Sequence, residues 1–121
     1  MPRDYRVYLD DVLRACERVR AYTGGMSLGD FREDPRTVDA VVRNLEVIGE
    51  AVKNVPDEVR RRYPHVPWKR IAGLRDLLIH QYFGIDFEIV WDVVTVKLPP
   101  FEQQVRLILE AGMPTGGSGG D

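Results

Sequence analysis

The chain has 121 residues, 44% of them apolar and 30% charged, which suits one soluble domain with one core and excludes both default disorder and a split into two domains. Its formal net charge of −2 by itself calls for no polyanionic partner. The longest apolar stretches, at residues 77–79 and 89–91, are far shorter than the roughly 20 residues of a membrane span, so no membrane partner is expected. The opening MPRDYRVYLD is charged from its third residue and does not read as a signal peptide. The single cysteine, Cys16, excludes an internal disulfide and any Cys-based zinc site. The cytoplasm is the simplest compartment for such a chain.

In chain order the pattern is helical nearly throughout. Asp4 caps a first helix with apolar positions at Tyr5, Tyr8, Leu9, Val12, Cys16 and Val19, a period near 3.6. It should stop at Thr23-Gly24-Gly25. Ser27 caps a short turn through Phe31. Asp34-Pro35 starts a second long helix, with Asp at the cap and Pro in the first turn. That helix carries Val38, Val41, Val42, Leu45, Ile48 and Val52 on one face and ends before Pro56. A short segment follows from Pro56 to Tyr63. Pro67 opens a third helix through Trp68, Ile71, Leu74 and Leu78 that Gly84 should end. Asp86 caps a fourth, with Phe87, Val90, Trp91 and Val94. Pro99 and Pro100 must break or kink it, because neither can donate a backbone hydrogen bond. A last piece runs from Phe101 to Leu109. No alternating strand is evident. The expected fold is all-α, an antiparallel bundle of four to five helices over residues 1–111, with a disordered Gly-rich tail at 112–121.

Charge is unevenly spread. Residues 58–75 hold six basic side chains (Arg60, Arg61, Arg62, Lys69, Arg70, Arg75) against one acid, Glu58. Such an island can steer a phosphate-bearing partner, although on charge alone a solvated helix face is the plainer explanation. Most other chemistry-bearing residues read as ordinary. Cys16 lies on an apolar stripe and suits the core. His65 sits in a turn between prolines. The histidines are too few and too poorly placed for a metal site, and no Gly-rich phosphate loop occurs. No cofactor is called for.

The stretch Arg75-Asp76-Leu77-Leu78-Ile79-His80-Gln81-Tyr82 stands apart. It sets four polar side chains, Arg75, Asp76, His80 and Tyr82, in apolar surroundings, which implies a cleft or interface that uses them. If the third helix runs through them, Arg75 and Tyr82 are nearly eclipsed, roughly 20° apart, and Asp76 adjoins His80 so that the carboxylate orients the imidazole. Arg75 and His80 then lie roughly 140° apart, and share a face only if the helix loosens near Gly84 or two chains supply them. A helix end with a structural Arg–Asp pair and a satisfied histidine explains the spacing equally well. Trp68, Phe83 and Trp91 flank the set, a mix suited to an interface that encloses a cleft.

This Arg-x4-His-x-Tyr pattern resembles the signature of the HEPN superfamily, in its HepT-like branch. The flanking text is similar too: Gly49-Glu50-Ala51, Tyr63-Pro64, Pro67-Trp68, Ile71-Ala72-Gly73-Leu74-Arg75-Asp76, His80-Gln81-Tyr82-Phe83-Gly84-Ile85-Asp86 and Ile89-Val90-Trp91. The resemblance spans about Tyr5 to Leu109. It implies an all-helical homodimer with the motif lining a cleft between protomers. It also implies a metal-independent endoribonuclease, acting as the toxin of a type VII toxin–antitoxin module. Its implied partner is an MntA-type nucleotidyltransferase antitoxin that transfers AMP to the motif tyrosine. Carried over by residue, Arg75 and His80 become the catalytic pair, Asp76 the supporting polar residue and Tyr82 the modified position. Lys69 and Arg70, in the basic island beside the motif, are the expected RNA-binding residues. The alternative is a non-catalytic subunit that binds a nucleotide or the transferase and cuts nothing.

Overall fold

Helices begin where short polar side chains can take up orphan backbone N–H groups. The computed structural model describes residues 4–80 and 84–112. Helix α1 (Tyr5–Thr23) is capped by Asp4, which accepts from the Arg6 N–H at 2.9 Å. Ser27 and Asp30 form a reciprocal capping box on α2 (Leu28–Arg32). Asp34 accepts from the Thr37 N–H at 3.1 Å and starts α3 (Pro35–Lys53), with Pro35 in the first turn. Helices α4 (Asp57–Arg62), α5 (Trp68–Ala72) and α6 (Leu74–Leu78) are short. Asp86 accepts from the Ile89 N–H at 3.1 Å and opens α7 (Phe87–Asp92). A π-helical turn at Val93–Lys97 leads into α8 (Leu98–Gly112). Gly25 carries the positive φ of 80° that lets the chain leave α1.

The apolar stripes pack as their spacing requires. Helix α1 lies against both α3 and α8, and α3 also receives α5 and α6. Leu9, Val12, Cys16 and Val19 of α1 are fully buried, as are Val41, Leu45, Ile48 and Val52 of α3 and Val105 of α8. Two polar clamps tie these helices together. Glu102 of α8, 7% exposed, receives Arg20 of α1 through Nε (3.0 Å) and Nη2 (2.6 Å), and Arg106 through Nη2 (3.1 Å). Arg18 of α1 donates to Asn44 of α3 at 2.9 Å. Burial, with Glu102 nearby, pushes the Cys16 thiol up to about 12, so this residue is core and not a nucleophile. Among the described residues no helix is long and apolar enough to cross a membrane.

Four sequence expectations need correction. The third helix does not run from Pro67 to Gly84. It breaks at Gly73 into α5 and α6, and the helical path ends at Leu78. Second, a small antiparallel pair follows: β1 (Ile79–His80) bonds β2 (Gly84–Ile85), with Ile79 opposite Ile85 and His80 opposite Gly84. Helix α6 has five residues, too few for cooperative helix strength. Gly84, at φ 81°, supplies a left-handed backbone that returns the chain. Third, of the break or kink expected at Pro99 and Pro100 there is no break, and the helical path continues through them. They sit in the first turn of α8, and the π-helical turn just ahead absorbs the bonds they cannot make. Fourth, Trp68 serves the interior, while Trp91 is half-buried. Trp68 is 5% exposed, stacks edge-on to Phe101 at 6.2 Å and donates from Nε1 to the Tyr63 carbonyl. Trp91 lies 5.1 Å from Phe31. Phe83 and the tail from residue 113 lie outside the described residues.

Candidate functional site: the α6 arc and its flanking hollows

The position of the site follows from how α6 is anchored. Leu74 and Leu78, four apart, are 3% and 0% exposed. Burying both ends of one helical row turns the three residues between them outward. Arg75, Asp76 and Leu77 are accordingly all exposed, Leu77 at 49%. Neither the Arg75 nor the Asp76 side chain has a hydrogen bond or ion pair among the described residues. An exposed guanidinium can hold an outside anion through two nitrogens.

Gly49 of α3 fixes the junction ahead of α6. A β-carbon there would sit 3.2 Å from the Ile71 carbonyl and 3.5 Å from that of Ala72. The missing side chain lets α3 press against the end of α5, and the chain restarts at Gly73, whose carbonyl accepts from Asp76 (3.1 Å) and Leu77 (3.3 Å). The backbone then leaves α6 directly into β1. His80 is held by its pairing with Gly84 rather than by a helix. The wheel relations expected of Arg75 with Tyr82 and of Asp76 with His80 therefore do not apply: the helix that would create them stops two residues before His80. Tyr82 lies outside the described residues.

Two hollows flank this segment. One, of about 860 Å³, runs between the α5–α6 region and the α7–α8 path and is largely apolar, with Ile71, Leu74, Leu77, Val93 and Val96 among its lining. Val96 is 57% exposed there. The other, of about 840 Å³, lies between α4 and α5 and is bordered by Arg60, Arg61, Lys69 and Arg70. Lys69 and Arg70, both exposed on α5, border the two hollows at once. The structure thus brings the expected RNA-binding pair to a shared ridge and puts Arg75 and Asp76 on the next short helix. His65 is exposed and lines neither hollow. Among the described residues no three His, Cys, Asp or Glu side chains gather to hold a metal ion.

Sequence reasoning missed two contributors. Arg61 was counted in the basic island but not singled out, because its placement across a hollow from Lys69 and Arg70 depends on the turn at 63–67. Gly49 appeared only as part of a quoted motif, and a glycine in mid-helix is the signal that a close approach was coming.

Comparison with known proteins identifies the family. The family model described as "Ribonuclease HepT-like" matches residues 12–108. A protein of Caldanaerobacter subterraneus subsp. tengcongensis named "Putative RNase" is 48% identical over 105 residues, covering 87% of this chain and 94% of the relative. A "Putative RNase" of Methanocaldococcus jannaschii is 46% identical over 111 residues, covering 91% and 92%. The "Probable ribonuclease HepT" of Thermococcus cleftensis is 41% identical over 99 residues, covering 82% and 90%. No solved structure matches.

Proposed function

Because this chain belongs to the HepT-like ribonuclease family, we propose that it is a toxin that cuts RNA without a metal, in a two-gene module whose antitoxin is an MntA-type nucleotidyltransferase. One observation carries the reading: within the family match, Arg75 is an exposed guanidinium with no partner among the described residues.

The chemistry needs a base, an acid and positive charge. The ribose 2′-oxygen attacks the adjacent phosphorus and the bond to the 5′-oxygen breaks, leaving a 2′,3′-cyclic phosphate and a 5′-hydroxyl. A histidine near neutrality can take the 2′-proton or give one to the departing oxygen. Arginine stays charged and grips phosphate oxygens on two sides. In this reading His80 supplies the proton transfers, Arg75 the charge, and Asp76 supports them. A homodimer brings two copies of His80 and Arg75 to one cleft, enough for both transfers. Support for pairing comes from Leu77 and Val96, both about half exposed on the apolar hollow beside the motif.

Silencing acts at Tyr82. Its phenolic oxygen attacks the α-phosphorus of ATP, the bond to the β-phosphate breaks, pyrophosphate leaves, and the phenol proton passes to a base of the transferase. The attached nucleotide then fills the cleft with a bulky anion that Arg75 can hold in place of RNA.

The test is RNA cleavage by purified unmodified protein, with and without a chelator, beside intact mass after co-expression with the neighbouring transferase. Cleavage that survives the chelator is expected. So are mass gains in multiples of one AMP that vanish in Tyr82→Phe. An inert unmodified dimer would support the non-catalytic subunit instead, and addition at Tyr5, Tyr8, Tyr22 or Tyr63 would move the modification.

A further inference from the structure

We propose that the hollow between α4 and α5 is a second RNA contact surface, one that grips the phosphate backbone away from the cutting site and reads no bases; the identity of its ligand as RNA rests on the ribonuclease reading above. The argument begins with charge. Arg61 borders the hollow from α4 and Lys69 and Arg70 border it from α5. All three are exposed, and none of their side chains has an ion pair or hydrogen bond among the described residues. The remaining groups there do not neutralise them. Arg60 is spent on the Val52 (2.8 Å) and Val55 (3.2 Å) carbonyls at the end of α3. Asp57 is the one acid in the lining. Cations on two walls of one hollow repel each other, and an outside anion that enters relieves the repulsion.

The chemistry of the floor decides what kind of anion fits. Sites that hold a base in place present aromatic faces to stack on, and adenine is read by amide side chains. The lining here offers neither: its one aromatic, Trp68, is buried, with its ring committed to Phe101 and its Nε1 to the Tyr63 carbonyl. Pro64, Val66 and Pro67 complete the floor. Such a surface holds phosphates by charge; its arginines and lysine read a base only when an edge is presented to them, and no stacking face here presents one. Continuity sets its direction. Pro67, Lys69 and Arg70 border both hollows. A second copy seated on the apolar side therefore leaves the basic side open at the rim of the shared cleft. A strand cut at Arg75 and His80 would continue along Lys69 and Arg70 toward Arg61.

The experiment measures binding with cutting disabled. In a full-length His80→Ala background, a fluorescein-labelled 20-residue oligouridylate is titrated by anisotropy from about 50 to 300 mM KCl. Adding Arg61→Gln, Lys69→Gln and Arg70→Gln together is expected to weaken binding at least about tenfold at 100 mM salt. It should also flatten the log–log salt slope by about 2, as loss of three phosphate contacts to a single strand requires. Exchanging these residues for the other basic type (Arg61→Lys, Lys69→Arg, Arg70→Lys) should keep the slope. Arg36→Gln with Arg43→Gln, exposed on α3, should change affinity less than about twofold. Oligocytidylate should bind within about twofold of oligouridylate. An unchanged affinity and slope in the triple variant would overturn the proposal. So would a loss confined to polyglutamate, which would assign the hollow to an acidic protein. Because cutting is scored separately on the protein with His80 intact, a wild type that binds here but does not cut would sink the ribonuclease reading and leave the surface standing.

Discussion

Arginine is used in two opposite ways in this molecule. Arg20 on α1 is clamped through two nitrogens onto a carboxylate of α8 that is almost fully withdrawn from water. Arg75 on α6 stands exposed with no described partner. Both lie on helices one face of which is buried, so local pattern does not tell them apart. The difference is what stands opposite. A buried carboxylate ties the first charge to holding helices together, whereas the second, on a short exposed arc, has no partner among the described residues and in the proposed reading meets an incoming anion. In the proposed reading, the anion-binding arginine is one that the fold has not tied to a carboxylate, although exposure alone does not mark it, since Arg36 and Arg43 are exposed too.

The contrast breaks most sharply at the site. Arg75→Ala and His80→Ala should each lower RNA cleavage by about 10²–10⁴ in rate, as loss of a charge donor or proton-transfer group does. Melting temperature should stay within about 2 °C of the parent. His65→Ala, exposed and outside both hollows, should cut at the parent rate. Wild-type cleavage by either site variant would show that the exposed charge is idle.

Glu102→Ala tests the other half. Removing the acceptor of Arg20 and Arg106 loses charge-assisted hydrogen bonds worth about 2 kcal/mol, discounted because both arginines can turn toward water. A fall of roughly 5–10 °C in melting temperature should follow, with cleavage per folded molecule unchanged. Unchanged stability would demote the clamp to a surface pair.

The smallest effect comes from a matched pair of glycines. Gly84 and Gly25 have nearly the same positive φ, 81° and 80°, with open space around each. Alanine at either should cost about 1 kcal/mol from left-handed strain. Gly84 pairs with His80 and Gly25 ends α1. Gly84→Ala should therefore also slow cleavage, and Gly25→Ala should not. Equal activities after correction for folded fraction would detach the β1–β2 hairpin from catalysis.

Much of the scaffold was legible because its causes are local. Asp4, Ser27, Asp34 and Asp86 cap the helices they announced, and the stripes on α1 and α3 are buried as their period requires. The break at Gly73 was not legible. Ile71, Leu74 and Leu78 keep helical spacing straight across it, and its cause, the bare face of Gly49, comes from a different helix. The hairpin escaped for a related reason: Gly84 was read as a helix stop, when it is the return point of a strand pair already begun at Ile79. The angular relations at the motif were not legible, because they depended on a helix that tertiary packing cuts short. Glu102 was hidden because a lone acid in an apolar stripe gives no sign of the two arginines that satisfy it.

The π-helical turn at Val93–Lys97 also bears on how this chain tolerates changes in length. It takes one residue more than an α-helical turn, so α7 and α8 face the core across it as they would if that residue were absent. Phe87 and Trp91 meet Phe31 ahead of the turn, and Phe101 meets Trp68 after it. Deleting one residue within Val93–Lys97 should therefore give ordinary α winding with both aromatic contacts in place. A deletion in the regular winding of α8 would instead turn the residues on one side of it by about 100°. The chain carries one residue of slack at this point.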